Sequence, residues 1–163
     1  MSGERVLLLD DAEMVRTRVR RALDTVGLDL VATDSWVDAK NEVFSARPPD
    51  LLILDLQMPT IDGAAVGRAI RRRMDIAIVV FSSEAQERTR QAAESIGAAA
   101  ALSKSVTDQE LVSTVLRVLG SRKLLAGRRA AGSADPPRMP GPSPLPGKPA
   151  FSRRFEEKPG THV

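Results

Sequence analysis

The chain has 163 residues, 42% of them hydrophobic, with a net charge of +3 and no cysteine. That length allows one domain of ordinary size with a remainder, and the missing cysteines exclude disulfides and thiolate metal sites. The N-terminus lacks a basic segment followed by a long apolar one, and no apolar run approaches the roughly 20 residues of a membrane span, so a cytoplasmic protein without a membrane span is expected.

Short apolar runs recur at Val6–Leu9, Leu30–Ala32, Leu51–Leu54, Ile76–Phe81 and Ala98–Leu102. Most are continuous rather than alternating, as expected of parallel strands covered on both faces. Helical patterns lie between them. Val15, Val19, Ala22, Leu23 and Val26 repeat at helical spacing between Asp11 and Gly27, and Trp36 begins a second pattern, where packing is the expected role. Val66, Ala69 and Ile70 give a third stripe, ended by "RRR" at 71–73, where cations complement the helix dipole. A fourth helix over about 85–96 is the least apolar. "TDQE" at 107–110 is a capping box, followed by Leu111, Val112, Val115, Leu116 and Leu119. Five strands in strict alternation with five helices predict an α/β fold with a parallel sheet and right-handed crossovers.

The composition shifts near Gly120. Residues 121–163 hold eight of the 11 prolines and nine basic residues against three acidic ones, whereas residues 1–120 hold fifteen basic and eighteen acidic. The run "PPRMPGPSPLPGKP" cannot bury enough apolar surface to offset its ordering entropy. The expected division is therefore a folded domain over 1–120 and a basic, proline-rich, mostly disordered tail over 121–163, whose first residues, "SRKLLAG", can extend the last helix. Within the tail, Phe151 and Phe155, four apart, suggest a docking helix, and the proline runs and terminal "THV" suggest further partner motifs. His162 is read as solvated.

The polar residues that follow the strands carry the chemistry. Strand one ends in Asp10 and Asp11, strand three in Asp55, strand four in Ser82 and Ser83, and strand five near Lys104. Ligands of open α/β sheets bind outside the carboxyl ends of the strands. Singly, an acid after a strand is most often a helix cap; four such ends together are not explained that way. Clustered carboxylates repel unless a cation neutralises them, and an oxygen-only set selects a hard ion such as Mg²⁺. A lysine and a hydroxyl facing that cluster suit a phosphoryl group, and a carboxylate can itself be the nucleophile.

With "LLLDD" (7–11), "LLILDLQMPTIDG" (51–63), "VVFSS" (79–83) and "LSK" (102–104), residues 4–120 resemble a response-regulator receiver domain of two-component signalling. The resemblance implies a doubly wound, flavodoxin-like (βα)5 sheet of strand order 2-1-3-4-5. It implies that Asp55 accepts a phosphoryl group from a sensor histidine kinase or phosphotransfer protein. Asp10, Asp11, Asp55 and the Gln57 backbone carbonyl would hold Mg²⁺. Lys104 would pair with phosphoryl oxygens, Ser82 would act as the hydroxyl switch with Ser83 beside it, and Gln57 and Glu84 would tune the lifetime of the phosphorylated state. Three positions depart from the family pattern: Ser105 replaces a proline after the lysine, Ala101 replaces an aromatic that couples the switch to the outer surface, and Ser82 replaces the commoner threonine. With no DNA-binding helix-turn-helix in view, output to an unidentified protein is expected. The alternatives are a phosphorelay intermediate or phosphate sink, and a scaffold whose output is independent of phosphorylation.

Overall fold

A computed structural model describes residues 3–131, and side chains through residue 128. Its elements in chain order are β1 (Arg5–Leu9), α1 (Glu13–Asp24), β2 (Asp29–Thr33), α2 (Trp36–Val43), β3 (Leu51–Asp55), β4 (Gln57–Met58), β5 (Ile61–Asp62), α3 (Gly63–Arg73), β6 (Ala77–Ser82), α4 (Gln86–Ile96), β7 (Ala100–Ser103) and α5 (Asp108–Ala131). The five long strands form one parallel sheet in the order β2-β1-β3-β6-β7, which is the expected 2-1-3-4-5 once the two-residue ribbon β4–β5 is set aside. That antiparallel ribbon, with Gln57 opposite Asp62 and Met58 opposite Ile61, was not expected; Pro59 and Thr60 sit at its turn.

The continuous apolar runs are explained by two cores. Strand side chains alternate between faces. Val6, Leu8, Leu51, Ile53, Val79 and Phe81 join Val19 and Leu23 of α1 and Leu111, Val115, Val118 and Leu119 of α5. The intervening Leu7, Leu9, Leu52, Leu54, Ile78 and Val80 join Ala39 and Val43 of α2, Val66 and Ile70 of α3, and Ala93 and Ile96 of α4. A single polar residue in β3 would therefore enter one of two dry layers. Trp36 packs half-buried against the second layer, as a packing residue.

Local chemistry fixes the helix ends. Ser35 accepts from the Asp38 N–H at the start of α2, and Asp62 accepts from the Ala65 N–H at the start of α3. The capping box forms in both directions: the Glu110 N–H donates to Thr107 Oγ1 (3.1 Å) and the Thr107 N–H to Glu110 Oε2 (2.9 Å). Gly97 ends α4 with φ of 75°, a conformation that favours glycine. Some expected core positions differ. Val26 lies beyond the end of α1 and is exposed, Ala69 is exposed on α3, and Leu116 points outward from α5, where Val118 takes the buried place.

The last helix does not stop near Gly120. It continues through Ala131, so the first eleven residues of the segment expected as tail are helical. Arg122 fastens this extension to the amino-terminal edge of the sheet, donating to the carbonyls of Asp50 (2.8 Å) and Asp75 (2.6 Å), while Lys123 lies 3.0 Å from Glu4. The proline run, Phe151, Phe155, His162 and the terminal THV lie outside the described residues.

Two glycines give opposite predictions. A Cβ on Gly63 would stand 2.5 Å from the Asp55 carbonyl oxygen and 2.8 Å from Leu56 Cα, both backbone atoms; on Gly120 it would meet nothing within 4 Å. Gly63→Ala should destabilise by about 1–3 kcal/mol through overpacking, and Gly120→Ala should stabilise by about 0.5–1 kcal/mol through helix propensity, both read from urea midpoints.

Candidate functional site

Two neighbouring strand ends on the carboxyl edge bring three carboxylates together. Asp10 follows β1, Asp55 closes β3 beside it, and Asp11 stands at the mouth; one oxygen from each lies within 4.8 Å of the others. Asp10 and Asp55 are fully buried and Asp11 is exposed. The β3 register, continued by Asp55 opposite Phe81, places the carboxylate where the apolar run ends.

Each buried carboxylate is held in the same way. Asp10 Oδ1 accepts from the Ala12 N–H (2.9 Å), and Asp55 Oδ1 accepts from the Gln57 N–H (3.0 Å). Aspartate favours this bond to the backbone two residues on. The two Oδ2 atoms face the Lys104 ammonium, at 2.8 Å from Asp10 and 3.2 Å from Asp55, and have no other protein donor. The lysine backbone is set by its N–H, which donates to the Ser82 carbonyl (2.9 Å) and prolongs the β6–β7 pairing.

One ammonium therefore faces two buried carboxylates, with the exposed Asp11 clustered beside them. Burial pushes the Asp55 carboxyl above its usual value. The Gln57 N–H opposes this, the Asp10 charge adds to it, and the Lys104 charge does not cancel the sum. Burial pulls the Lys104 amine down, but its hydrogen bond to Asp10 and the charges of Asp10 and Asp55 outweigh that, and its pKa is raised. The lysine is thus held as a cation in a pocket still short of positive charge. An oxygen-only set of three carboxylates, two with buried Oδ2 atoms whose sole partner is that ammonium, fits a hard divalent cation such as Mg²⁺.

The remaining expected residues surround this centre. Ser82 is fully buried at the end of β6, and its Oγ accepts from the Glu84 N–H (3.1 Å). Gln57 and Glu84 are joined directly, the Gln57 side-chain amide donating to Glu84 Oε1 (2.8 Å), so a single bridge spans the β3 and β6 loops. Ser83 is exposed, as is Ala101, which sits in β7 opposite Val80. At Ser105, in place of a proline, the N–H donates to Ser103 Oγ (3.2 Å) and the two hydroxyls lie 2.7 Å apart.

Sequence reasoning missed two arginines of α1. Arg16 donates to the Asp10 carbonyl (2.9 Å), and Arg18 reaches the loop after Lys104, donating to the carbonyls of Lys104 (2.7 Å) and Val106. Within "RTRVRR" nothing distinguishes them from arginines that face only water.

Comparison with known proteins agrees with this arrangement. The sequence profile of the response regulator receiver domain matches residues 6–116. The response regulator UvrY of Escherichia coli O157:H7 is 31% identical over 123 residues, covering 74% of this chain and 56% of that protein. A protein-glutamate methylesterase/protein-glutamine glutaminase 2 of Rhodospirillum rubrum is 31% identical, covering 93% of this chain and 47% of its own length. The chain spans about half the length of the curated relatives it matches. Among solved structures, a response regulator receiver protein from Burkholderia phymatum superposes with a TM-score of 0.63 at 31% identity, over 72% of this chain and 95% of that one. The Vibrio cholerae chemotaxis protein CheY4 gives 0.65 at 25% identity, over 72% and 99%.

The charge imbalance has a measurable consequence. A carboxyl whose pKa is raised by folding favours the folded state at low pH and loses that advantage as pH rises through the raised value. In a chelator, Asp55→Asn should therefore be more stable than the parent chain at pH 7, and the difference should shrink as pH falls toward 4. Paired urea titrations at the two pH values check this; an equal or larger difference at low pH would contradict it.

Proposed function

Because the chain belongs to the response regulator receiver family, we propose that it is a phosphoacceptor switch in which Asp55 takes a phosphoryl group from a sensor histidine kinase or a phosphotransfer protein. The observation that carries this reading is Asp55 itself. It is a fully buried carboxylate fixed by the Gln57 N–H, 3.2 Å from a lysine ammonium and clustered with two further acids.

In the proposed step a carboxylate oxygen of Asp55 attacks phosphorus, the phosphorus–nitrogen bond of the donor phosphohistidine breaks, and the imidazole leaves with that electron pair. The product is an acyl phosphate. Lys104 is placed to neutralise a phosphoryl oxygen, because its ammonium already lies between the two acids that flank the position. Asp10, Asp11, Asp55 and the Gln57 carbonyl would hold a Mg²⁺ ion, whose charge offsets that of the phosphoryl oxygens. Ser82 would give up its bond to the Glu84 N–H and donate its hydroxyl to the phosphoryl group. Gln57 and Glu84, bridged across the β3 and β6 loops, would set the lifetime of the phosphorylated state. Residues 1–120 act as the receiver in this reading, extended by the helical residues that follow. The protein would be cytoplasmic, and its output would be contact with another protein rather than DNA.

One observation favours a second reading of the output. The match to the methylesterase covers 93% of this chain, well past the receiver itself. That relation supports a receiver that controls a catalytic unit through the segment after α5.

Incubation with a small phosphodonor and Mg²⁺ should add one phosphoryl group per chain by mass, none on Asp55→Ala, and at least tenfold less in excess chelator. An adduct that persists on the alanine variant would refute the assignment. With a beryllofluoride mimic, amide shifts reaching β7 and α5 are expected of a switch. Shifts confined to the loops at Asp10, Asp55, Ser82 and Lys104 would instead identify a relay intermediate or phosphate sink.

A further inference from the structure

Lys104 sits on a short loop between β7 and α5, and that loop carries serine at 105. Its local bonds are few. The Val106 N–H donates to the Ser103 carbonyl (3.1 Å), and Ser103 and Ser105 share the hydroxyl contact described above. These bonds shape the turn but tie it to nothing outside itself. Outside the loop, the Lys104 N–H holds the Ser82 carbonyl at the start of the turn, and the tie that spans the rest of it is the Arg18 guanidinium. Nη1 donates to the Lys104 carbonyl (2.7 Å), Nη2 to the Val106 carbonyl, and Nε to Asp108 Oδ1 (2.7 Å). One planar group thus binds three points on a stretch of five residues, 86 to 90 positions away in sequence. A guanidinium offers donors in a fixed fork, so three simultaneous bonds define both the position and the tilt of what it holds. Its base is itself fixed: Val19, next to it on α1, is fully buried in the core shared with α5.

We propose that Arg18 is the positioning residue for Lys104, holding the β7–α5 loop so that the ammonium stays between Asp10 and Asp55. The inference rests on the reading that Lys104 neutralises a phosphoryl group on Asp55. Lys104 has a long, flexible stem, and its backbone carbonyl is one of the three atoms that Arg18 grips. Releasing that carbonyl leaves Lys104 with a single backbone tie, its N–H to the Ser82 carbonyl, and loosens the loop beyond it, while the acids and their own turn bonds stay in place.

Arg18→Ala should lower the rate of phosphorylation by a small phosphodonor at least fivefold, whereas Arg21→Ala, an exposed neighbour on the same helix, should change it less than twofold. In a Lys104→Ala background, Arg18→Ala should change the rate less than twofold, because it acts through the lysine. A second arm does not depend on phosphorylation. Acylation of Lys104 by an amine-reactive ester, mapped by mass spectrometry, should be at least threefold faster in Arg18→Ala, with Lys40 unchanged as an internal reference. A smaller change in Lys104 reactivity, or an equal loss of rate in both backgrounds, would overturn the proposal. If Arg18→Ala is unfolded by circular dichroism, Arg18→Lys, which keeps the charge but not the fork, is judged by the same thresholds. A wild-type chain that takes no phosphoryl group would refute the proposed function, and the acylation arm would still decide the role of Arg18.

Discussion

The ammonium of Lys104 between the carboxylates of Asp10 and Asp55 is the contact on which the rest of the site depends. It places a single positive charge against three negative ones at the edge of a dry core. A buried charge is tolerated only when paired and hydrogen-bonded. Here burial prevails over the incomplete pairing, and the Asp55 carboxyl is pushed upward even with the lysine beside it. A packed apolar interior could not host this arrangement. The sheet edge can, because β1 and β3 are adjacent and parallel and thus deliver Asp10 and Asp55 side by side without any further bend. The residual negative charge is the feature that suits the pocket to a hard cation.

The strand ends solve a backbone problem as well as a chemical one. A chain leaving a sheet must satisfy the N–H groups that no longer have a strand partner. In this protein all five long strands use one device, a side-chain oxygen accepting the N–H two residues on: Asp10 from Ala12, Thr33 from Ser35, Asp55 from Gln57, Ser82 from Glu84 and Ser103 from Ser105. Only aspartate, asparagine, serine and threonine do this readily. Helix-starting turns of this kind are therefore built from the same residue types that can bind a cation or a phosphoryl group. That coincidence explains why any one of these acids reads as a structural cap and why the set reads as a site.

Much of this was legible in the sequence because the relevant forces are local or periodic. The runs Val6–Leu9 and Leu51–Leu54 announced strands buried on both faces, and the two cores confirm why alternation was absent. Asp62 caps the start of α3 just before Gly63, and the clash that a Cβ at 63 would make with Asp55 and Leu56 shows that the glycine serves the site as well. What was not legible was long-range. Gly120 and the change in composition suggested a boundary and "SRKLLAG" a helical extension; the helix runs on to Ala131, and what no local pattern indicated is that Arg122 meets two carbonyls 47 and 72 residues away. Leu116 lay within an apolar stripe but faces outward, since Val118 and Leu119 complete the turn that meets the sheet. The same limit hid Arg18, whose partners are set by how α1 packs beside α5.

The departures at 101 and 105 then take on a common meaning. Ala101, exposed in β7, presents only a methyl group to the outer surface, and Ser105 ties its loop only to Ser103. Contacts from the pocket to the exterior run by another path, from the Lys104 ammonium through its own carbonyl to Arg18, and from there to α1 and, through Asp108, to the first turn of α5. α1 and α5 also share one core, and Arg122 ties the later part of α5 to the opposite edge of the sheet, so the same helix is bonded near both edges. The start of α5 and the adjoining face of α1 are therefore joined to the pocket through a single side chain, Arg18.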